Sequence, residues 1–418
     1  MSTKLLFITQ RARENPKTED FLKECFWELK RDKASGVDGV TVKEYEANLE
    51  ENIKDLVARM KAWKYRPKPV RRVYIPKAGG KKRPLGIPSV EDKIVQMGIK
   101  RILEAIFEVD FSDVSYGFRP NKGCHQALNM LDKVIMTRPV NYVVDMDIEK
   151  FFDTVDHKWL MRCLEQRVKD RHFLRLIGRF LKAGVIEEGK LIQMDRGTPQ
   201  GAVLSPVLAN IYLHYILDLW FEKVVKVELK GFAQLVRYAD DFVVCFQSER
   251  EAKEFGEVLG QRLGKFGLKI AKGKSRIIEF GCRVWQRAER GGKEVATFNF
   301  LGFTHYCDRT RKTARKKFIQ KMKEMNQWLK KVRNLVELKE WWQVLRLKMF
   351  GHYRYYGISG NMPSMKVYYT KVLRLAHKWI NRRSQKKSYN WEQFLKFVKY
   401  NPLLLPKIYQ LTYTLSSQ

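Results

Sequence analysis

A chain of 418 residues with 44% hydrophobic content is long enough for two or three domains with buried cores. Its 81 Lys and Arg against 46 Asp and Glu give a net charge of +35, which favours a polyanionic partner such as nucleic acid. Six scattered cysteines argue against a zinc site or a disulfide framework, and no run is apolar enough for a signal peptide or a membrane span. We therefore expect a soluble, cytoplasmic protein that has no contact with a membrane.

A basic hairpin is predicted near the N-terminal end, where residues 69–86 form two short β-rich runs around an Ala-Gly-Gly turn. Lys77 and Arg83 lie on its two strands and could bracket a triphosphate, although a solvated, charged hairpin fits the spacing equally well. The loop at residues 116–123 is irregular, basic and aromatic. Arg119 in this loop is a candidate for contact with a nucleotide or a template.

Two acidic clusters follow apolar, strand-forming runs. Residues 141–147 end with Asp145 and Asp147 on one face, and a buried strand carries acids at a cost unless a cation or a basic partner meets them. This pattern favours a metal site over a salt-bridged pair. Asp240 and Asp241 occupy a turn between two further apolar runs, where Asn-Gly or Asp-Gly would be usual. Carboxylate oxygens are the ligands that Mg²⁺ prefers, although a surface turn rich in Asp also fits the second cluster taken alone.

Two helices and a Gly/Pro loop are predicted around the acidic clusters. Ser89 is the expected N-cap of a helix over residues 90–107 that has an apolar, core-forming face. Ser205 is the expected N-cap of a second helix, with a proline in its first position. In the loop before it, residues 197–201, Gln200 could lie against a base pair or a sugar. A helix-entry loop without a ligand is the alternative.

The last part of the chain is helical, basic and aromatic. Of the excess of 35 positive charges, 21 lie between residues 301 and 418. After a short apolar strand and turn at residues 298–303, helical spacing predicts three helices, over residues 316–335, 339–350 and 367–381. Stacking rings alternate with cations at residues 351–361 and 382–391, which suits RNA or single strands, although part of these rings belongs to the core.

In this order the motifs resemble the blocks of reverse transcriptases, and more narrowly the proteins that bacterial group II introns encode, nearest the short, endonuclease-lacking group IIC type. The segments that carry the resemblance are Ser115-Tyr-Gly-Phe-Arg-Pro, Gly197-Thr-Pro-Gln-Gly, Ser205-Pro-Val-Leu-Ala-Asn-Ile-Tyr-Leu and Tyr238-Ala-Asp-Asp. Several motifs in the correct order are far more specific than one. The resemblance implies an α+β, right-hand polymerase. Its expected parts are fingers and a ferredoxin-like palm over residues 1–304, an α-helical thumb or maturase domain over 305–363, and a small basic DNA-binding segment over 364–418.

The resemblance also implies which residues act. Asp147, Asp240 and Asp241 would be catalytic and, with the Ile148 carbonyl, would hold two Mg²⁺ ions about 3.5 to 4 Å apart, with Mn²⁺ as a possible replacement. The dNTP would contact Lys77, Arg83, Phe151, Phe152, Gln200, Tyr238 and Ala239. One of the two phenylalanines would be the steric gate that rejects a ribose 2′-hydroxyl. Nucleic acid would contact Arg119, Gly201, Lys274, Arg354, Arg382, Arg383, Lys386 and Lys387.

The predicted function is that of an RNA-directed DNA polymerase with an RNA template, a DNA primer, dNTPs, group II intron RNA and target DNA as partners, which also assists splicing and intron mobility. Two other interpretations stay open: an RNA-binding splicing maturase with a vestigial polymerase, and a host-defence, CRISPR-associated reverse transcriptase. The presence of all three expected aspartates argues against the first. The second would be expected to carry a fused extra domain.

Overall fold

The computed structural model describes residues 17–76, 82–271, 273–291, 295–308, 310–383 and 388–411. Its helices are α1 (Lys17–Trp27), α2 (Val42–Ala47), α3 (Leu49–Lys61), α4 (Val90–Phe107), α5 (Cys124–Thr137), α6 (Phe151–Thr154), α7 (His157–Glu165), α8 (Arg171–Lys182), α9 (Ser205–Leu213), α10 (Lys226–Glu228), α11 (Glu249–Lys265), α12 (Cys282–Gly291), α13 (Arg315–Val332), α14 (Leu338–Tyr356), α15 (Met362–Ile380) and α16 (Trp391–Tyr400). Two π-helical segments, His214–Asp218 and Phe221–Val225, lie between α9 and α10. None of the helices in these ranges is long and apolar enough to cross a bilayer.

Eleven strands form three sheets within the described residues. They are β1 (Val70–Pro76), β2 (Lys82–Ile87), β3 (Tyr142–Asp147), β4 (Val185–Glu187), β5 (Lys190–Ile192), β6 (Ala233–Tyr238), β7 (Asp241–Phe246), β8 (Arg276–Glu279), β9 (Phe298–Phe300), β10 (Phe303–His305) and β11 (Arg311–Thr313). The palm sheet has the order β6-β7-β3-β8 and is antiparallel throughout. Helical segments join β3 to β6, and α11 joins β7 to β8, so the connection is βαββαβ. The predicted ferredoxin-like palm is confirmed.

The two faces of the palm sheet pack into two different cores, and the acids of β3 and β7 belong to one of these faces. Val144 and Val244 point into the core shared with the fingers, whereas Val143 and Val243 point into a second core with α5 and the β9–β10 hairpin. Side chains alternate along a strand, so Asp147, four positions after Val143, lies on the second face at the end of β3. The apolar row of that face therefore gives way to carboxylates where the sheet ends.

The fingers contain a four-stranded sheet of order β2-β1-β4-β5. The β1–β2 pair confirms the basic hairpin, whose turn, with Lys77, lies outside the described residues. The helix α4 begins after Ser89, as predicted, and the Ser89 hydroxyl accepts a hydrogen bond from the backbone N–H of Asp92 at 3.2 Å. The hairpin and α4 thus follow the sequence pattern closely.

The entry to α9 differs from the prediction. Ser205 is the first helical residue, and its hydroxyl donates to the carbonyl oxygen of Pro199 at 2.8 Å instead of capping the helix. Just before the helix, the side-chain oxygen of Gln96 on α4 accepts from the N–H groups of Val203 and Leu204 at 3.0 and 3.4 Å. A long-range contact has replaced the local one that the sequence suggested.

The thumb helices pack differently from the predicted domain division. Helix α15 crosses the predicted boundary at residue 363 and shares one core with α13, α14 and α16. The predicted boundary at residue 304 lies inside β10. Strand β11 is tied to α5 by a buried ion pair of 3.0 Å between Arg311 and Asp132. By packing, the palm side continues to Thr313, and the helices α13 to α16 form one helical unit.

Candidate active site and nucleic-acid cleft

The two acidic clusters meet at one end of the palm sheet. Asp147 of β3 lies directly opposite Asp241 of β7 in the antiparallel register, which places their Cβ atoms about 4.5–5.5 Å apart. Asp241 also pairs with Tyr238 of β6, so that only Ala239 and Asp240 form the turn. Ala239 has φ of +57°, an uncommon value for a residue with a side chain. The three predicted catalytic carboxylates are thus neighbours.

Like charges crowd this end of the sheet. Burial, with the neighbouring charges of Asp145, Asp240 and Asp147, raises the pKa of Asp241 to about 7, although its side chain is accessible from one side. Burial, with Asp147, also raises the pKa of Asp240, and the positive charge of Arg83 opposes this shift. Raised carboxyl pKa values of this origin mark a place where a cation would be stabilised.

A lysine already supplies one positive charge to these acids. The ammonium of Lys274 contacts the carboxylate of Asp147. Within the described ranges no three acidic, His or Cys side chains converge as a ready-made metal cage, and Asp147 is engaged by Lys274 instead. Three carboxylates beside a flexible, exposed lysine are a donor set that suits a hard divalent cation such as Mg²⁺. The residues present fit the predicted metal.

The backbone around Ile148 agrees with its predicted role. The N–H of Ala271 donates to the carbonyl oxygen of Asp147, and the N–H of Glu149 donates to that of Lys269, both at 2.8 Å. In this antiparallel pattern the residue between the two bonds turns its own N–H and C=O away from the neighbouring segment. The carbonyl of Ile148 therefore points to the other side, and its service as a metal ligand stays a prediction.

The two candidate gate residues have different surroundings. Phe151 is only 2% exposed, and its ring packs near that of Tyr212 in the core. Phe152 is partly accessible, and its carbonyl oxygen accepts the N–H of Thr198 at 2.7 Å. Phe152 therefore lies between the end of β3 and the loop at residues 197–201, whereas Phe151 supports the core.

The loop at residues 197–201 joins the fingers to the palm. The carbonyl oxygen of Gln200 accepts the N–H of Gly86 on β2 at 2.7 Å. Gly201 has φ of +98°, and a Cβ there would lie 3.2 Å from the carbonyl oxygen of Gly86. This close approach holds Gln200 and Gly201 against the strand that carries Arg83.

A cleft of about 860 Å³ opens beside the carboxylates. Arg83 lines it from the fingers, Tyr238 and Asp241 from the palm, and Leu301 and Gly302 from the turn between β9 and β10. The thumb wall carries residues that we did not single out from the sequence: Lys317, Lys321, Trp328, Lys348 and His352. Lysines repeating at i and i+4 on a helix were the available signal.

Arg119 does not contact the cleft as predicted. Its guanidinium is buried, donates to the carboxylate of Glu108 at 2.8 and 3.1 Å, and donates to the carbonyl oxygens of Ser112 and Ser115 at 2.7 Å each. These bonds fix the loop that contains Gly117, which lies against the catalytic turn. These internal bonds occupy the donors of Arg119 and argue against the predicted contact with a nucleotide or a template.

Three further predicted nucleic-acid contacts, Arg354, Arg382 and Arg383, lie on or next to the thumb helices α14 and α15. Arg354 is exposed and its guanidinium lies 5.8 Å from the ring centre of Tyr409. Arg382 is exposed beside Trp379, and Arg383 is partly accessible. Lys386 and Lys387 lie outside the described residues. The roles of all five remain predictions.

A buried network behind the catalytic turn was also missed. Arg237 of β6 and Asp218 are both 0% exposed and form an ion pair, and Arg237 also donates to the carbonyl oxygen of Ala239 at 2.9 Å. The available signal was a single acid, Asp218, inside the apolar run of residues 214–221.

Three comparisons with known proteins agree with this geometry. The family model for reverse transcriptase (RNA-dependent DNA polymerase) matches residues 75–305. The group II intron-encoded protein LtrA of Lactococcus lactis subsp. cremoris is 41% identical over 191 residues, which is 46% of this chain and 32% of LtrA. Protein YkfC of Escherichia coli (strain K12) is 35% identical over 296 residues, 62% of this chain and 77% of YkfC.

A third relative is the uncharacterized 91 kDa protein in the cob intron of Schizosaccharomyces pombe, 39% identical over 164 residues, 39% of this chain and 20% of that protein. The chain thus spans about a third of LtrA and a fifth of the yeast protein. The family match covers more than half of the chain, including the palm and all three carboxylates. This chain belongs to the reverse transcriptase (RNA-dependent DNA polymerase) family and is related, within it, to the proteins that group II introns encode.

Proposed function

We propose that the protein is an RNA-directed DNA polymerase that copies RNA into DNA by nucleotidyl transfer with two Mg²⁺ ions. One observation carries the proposal: Asp147 and Asp241 face each other on adjacent strands, with Asp240 in the turn, beside a cleft with a basic thumb wall. Carboxylates arranged in this way suit hard cations, and the lysines of the wall suit phosphates. Family membership supports the same activity.

The chain contributes positions and charges to the transfer. Bound divalent cations would stabilise the charge that develops on phosphoryl oxygens and lower the pKa of the attacking 3′-hydroxyl. Asp147, Asp240 and Asp241 would bind these cations, with the Ile148 carbonyl as a further ligand. Arg83, which lines the cleft beside Asp241, would neutralise part of the triphosphate charge. Lys77, the residue after β1 in the sequence, would do the same.

We infer that Phe152, not Phe151, is the steric gate. Phe152 is partly accessible between Asp147 and the loop at residues 197–201, whereas Phe151 is buried in the core. A ring beneath the sugar would clash with a 2′-hydroxyl and so favour deoxyribose. Gln200, Gly201, Tyr238 and Ala239 would contact the nucleotide or the templating pair around it, and Lys274 would contact nucleic acid once it leaves Asp147.

We also propose that the protein binds group II intron RNA, assists splicing, and meets target DNA through its basic C-terminal helices. The exposed Arg354 and Arg382 support this, as does the net charge of +21 after residue 301. Scattered cysteines are typical of a reducing compartment, which supports a cytoplasmic location. The names of the intron-related relatives point in the same direction.

Primer extension on matched RNA and DNA templates tests the proposal. The native protein and Asp147→Ala are compared with Mg²⁺, with dNTPs and NTPs offered separately. DNA synthesis on the RNA template that disappears in Asp147→Ala is the expected result. A folded native protein that binds RNA tightly without any synthesis would contradict the proposal and favour the vestigial maturase, for which an intron-splicing assay is the next test.

A further inference from the structure

The catalytic turn is held from behind by a buried guanidinium. Arg237 lies on β6 two positions before Ala239, the first residue of the turn, and its side chain is 0% exposed. Its Nη1 donates to the carbonyl oxygen of Ala239 at 2.9 Å, and this carbonyl belongs to the peptide unit that joins Ala239 to Asp240. The bond therefore fixes the peptide plane from which the Asp240 carboxylate projects.

The guanidinium itself is oriented by two residues of one helical stretch. Its Nε donates to one carboxylate oxygen of Asp218 at 2.7 Å, its Nη2 donates to the other, and its Nη1 also donates to the side-chain oxygen of Asn210 at 3.2 Å. Asp218 is 0% exposed and is the last residue of the π-helical segment His214–Asp218. Such segments are rare in proteins, and those that occur are often found at functional sites. The fork of Arg237 is thus fully determined by its neighbours.

A second contact presses on the same turn from the loop at residues 112–117. The side-chain amide of Asn210 donates to the carbonyl oxygen of Gly117 at 2.7 Å. A Cβ on Gly117 would lie 2.3 Å from the backbone nitrogen of Ala239, a distance that no side chain tolerates. Ala239 is held at φ of +57° between these contacts, in a conformation that persists where the surroundings over-determine it.

Stability alone is a weak reason for such a pair. Removing two charges from water is costly, and replacing a buried ion pair by apolar residues of similar volume is often neutral or stabilising. An apolar pair at positions 218 and 237 would fill the same space, but it would leave the Ala239 carbonyl without its donor. The bond to the turn is what only the guanidinium can supply.

We propose that Arg237, oriented by Asp218, is a positioning residue that fixes the Asp240 carboxylate and so sets the affinity of the centre for divalent cations. The inference rests on the proposed polymerase function and adds to it a residue that touches neither substrate nor metal. Mg²⁺ requires near-ideal ligand geometry, so a turn whose backbone conformation varies would bind Mg²⁺ less tightly. Groups that orient metal ligands commonly change metal affinity or activity by about 10- to 100-fold when removed.

The test compares the double variant Arg237→Met/Asp218→Leu with the native protein. Three quantities are measured: the urea midpoint, the affinity for a primer–template, and the occupancy of Mn²⁺ by electron paramagnetic resonance in a complex with dNTP and a dideoxy-terminated primer. We expect an unchanged or higher midpoint, unchanged primer–template affinity, and Mn²⁺ affinity lower by about 10- to 100-fold. The Mg²⁺ concentration for half-maximal extension should rise in parallel.

Arg262→Met is the matched control. Arg262 lies on α11, and its Nε donates to the carbonyl oxygen of Ile216 at 3.1 Å. The substitution therefore removes a guanidinium that bonds the helical stretch containing Asp218 but does not bond the turn. It should leave the metal dependence unchanged. Should the double variant fail to fold, Arg237→Lys keeps the charge beside Asp218 while its single ammonium cannot reproduce the fork, and an intermediate loss of Mn²⁺ affinity is expected.

A well-folded double variant with native Mn²⁺ affinity and native Mg²⁺ dependence would overturn the inference, and Arg237→Lys with native Mn²⁺ affinity would do the same. Failure of the proposed function looks different, because the native protein itself would then not extend a primer. In that case the Mn²⁺ measurement still compares native and variant centres. Gly117→Ala, which displaces the turn from its other side, should lower Mn²⁺ affinity as well.

Discussion

The catalytic end of the palm and the helical thumb use charge in opposite ways. In the palm, a two-residue turn and a strand register place Asp147 opposite Asp241, and buried groups behind the turn hold it there. In the thumb, residues such as Lys317 and Lys348 line a wide cleft from exposed helix faces. A fixed carboxylate is worth much because its position is defined, whereas a mobile surface lysine contributes a small, additive and salt-dependent amount. Each prediction below tests this difference.

The largest effect should come from Asp240→Ala. Loss of one ligand carboxylate should lower primer extension by about a thousand-fold or more, because several kcal/mol of charge stabilisation are lost, while affinity for RNA stays nearly intact. Steady-state extension and fluorescence anisotropy measure the two quantities. The matched control is Asp145→Asn on β3, whose carboxylate contacts Arg276 at 3.3 Å and should matter little. Extension by Asp240→Ala at the native rate would remove the metal assignment.

The next effect separates two adjacent phenylalanines of the palm. Phe152→Ala should raise incorporation of ribonucleotides relative to deoxyribonucleotides by about 10- to 200-fold, because the ring no longer excludes a 2′-hydroxyl. Phe151→Ala should instead lower the free energy of unfolding by about 3–5 kcal/mol, because it opens a cavity in the core. The ratio of kcat/KM for the two nucleotide classes and urea denaturation measure these changes. Loss of sugar selectivity in Phe151→Ala alone would reverse the assignment.

The sequence was sufficient for what depends on short-range pattern. The apolar, strand-forming runs of β3 and β7 predict strands whose ends carry Asp147 and Asp241, and the capping signal at Ser89 marks the start of α4. The order of the motifs then implies the ferredoxin-like palm, because the same order belongs to a known polymerase family. The strands and the cap depend on residues that are close in the sequence, and the palm is inferred from the order in which such local motifs occur.

Contacts between segments that are distant in the sequence could not be predicted from it. Gln96 of another helix bonds the backbone just before α9, and this contact could not be recognised from the neighbours of Ser205 in the sequence. Arg119 lies within an aromatic, basic loop of a kind that suits ligand contact, but Glu108 lies within reach of its guanidinium only in the folded chain. The predicted boundary at residue 363 falls inside α15 for the same reason, because this helix packs with α13 in one core.

A smaller effect should follow from removing four thumb-side charges together. Arg382→Gln, Arg383→Gln, Lys386→Gln and Lys387→Gln should reduce the log-log slope of nucleic-acid binding against salt by about three to four, if each cation meets a phosphate. The rate of extension at low salt and saturating substrate should not change. The slope is measured from binding isotherms recorded at salt concentrations between about 50 and 200 mM.

The control for the charge change lies on the palm helix α11. Arg250→Gln with Lys253→Gln removes the same sign of charge, but these cations already pair with Glu254 and Glu249 at 2.8 and 2.7 Å. Their loss should leave the slope nearly unchanged. A slope that stays the same in the quadruple variant would show that residues 382–387 do not contact phosphates.

The smallest effect concerns the stability of the metal-free palm. The folded state raises the pKa of the Asp241 carboxyl from 3.8 to about 7, so the folded protein holds this proton more tightly than the unfolded chain. Its contribution to stability is present below about pH 4 and is lost as the pH rises towards 7. Urea midpoints in EDTA should therefore fall over this range more steeply for the native protein than for Asp241→Asn.

Saturating Mg²⁺ should remove most of that difference, because the cation replaces the proton among the carboxylates and its binding releases protons. Only five acids occur among residues 301–418, and they are spread along the sequence. The difference in pH dependence of the urea midpoint between the native protein and Asp241→Asn therefore reports on the carboxylates of the palm. Equal pH slopes for the two proteins in EDTA would mean that the like charges at the turn are already neutralised by the protein, with Lys274 as the first residue to substitute.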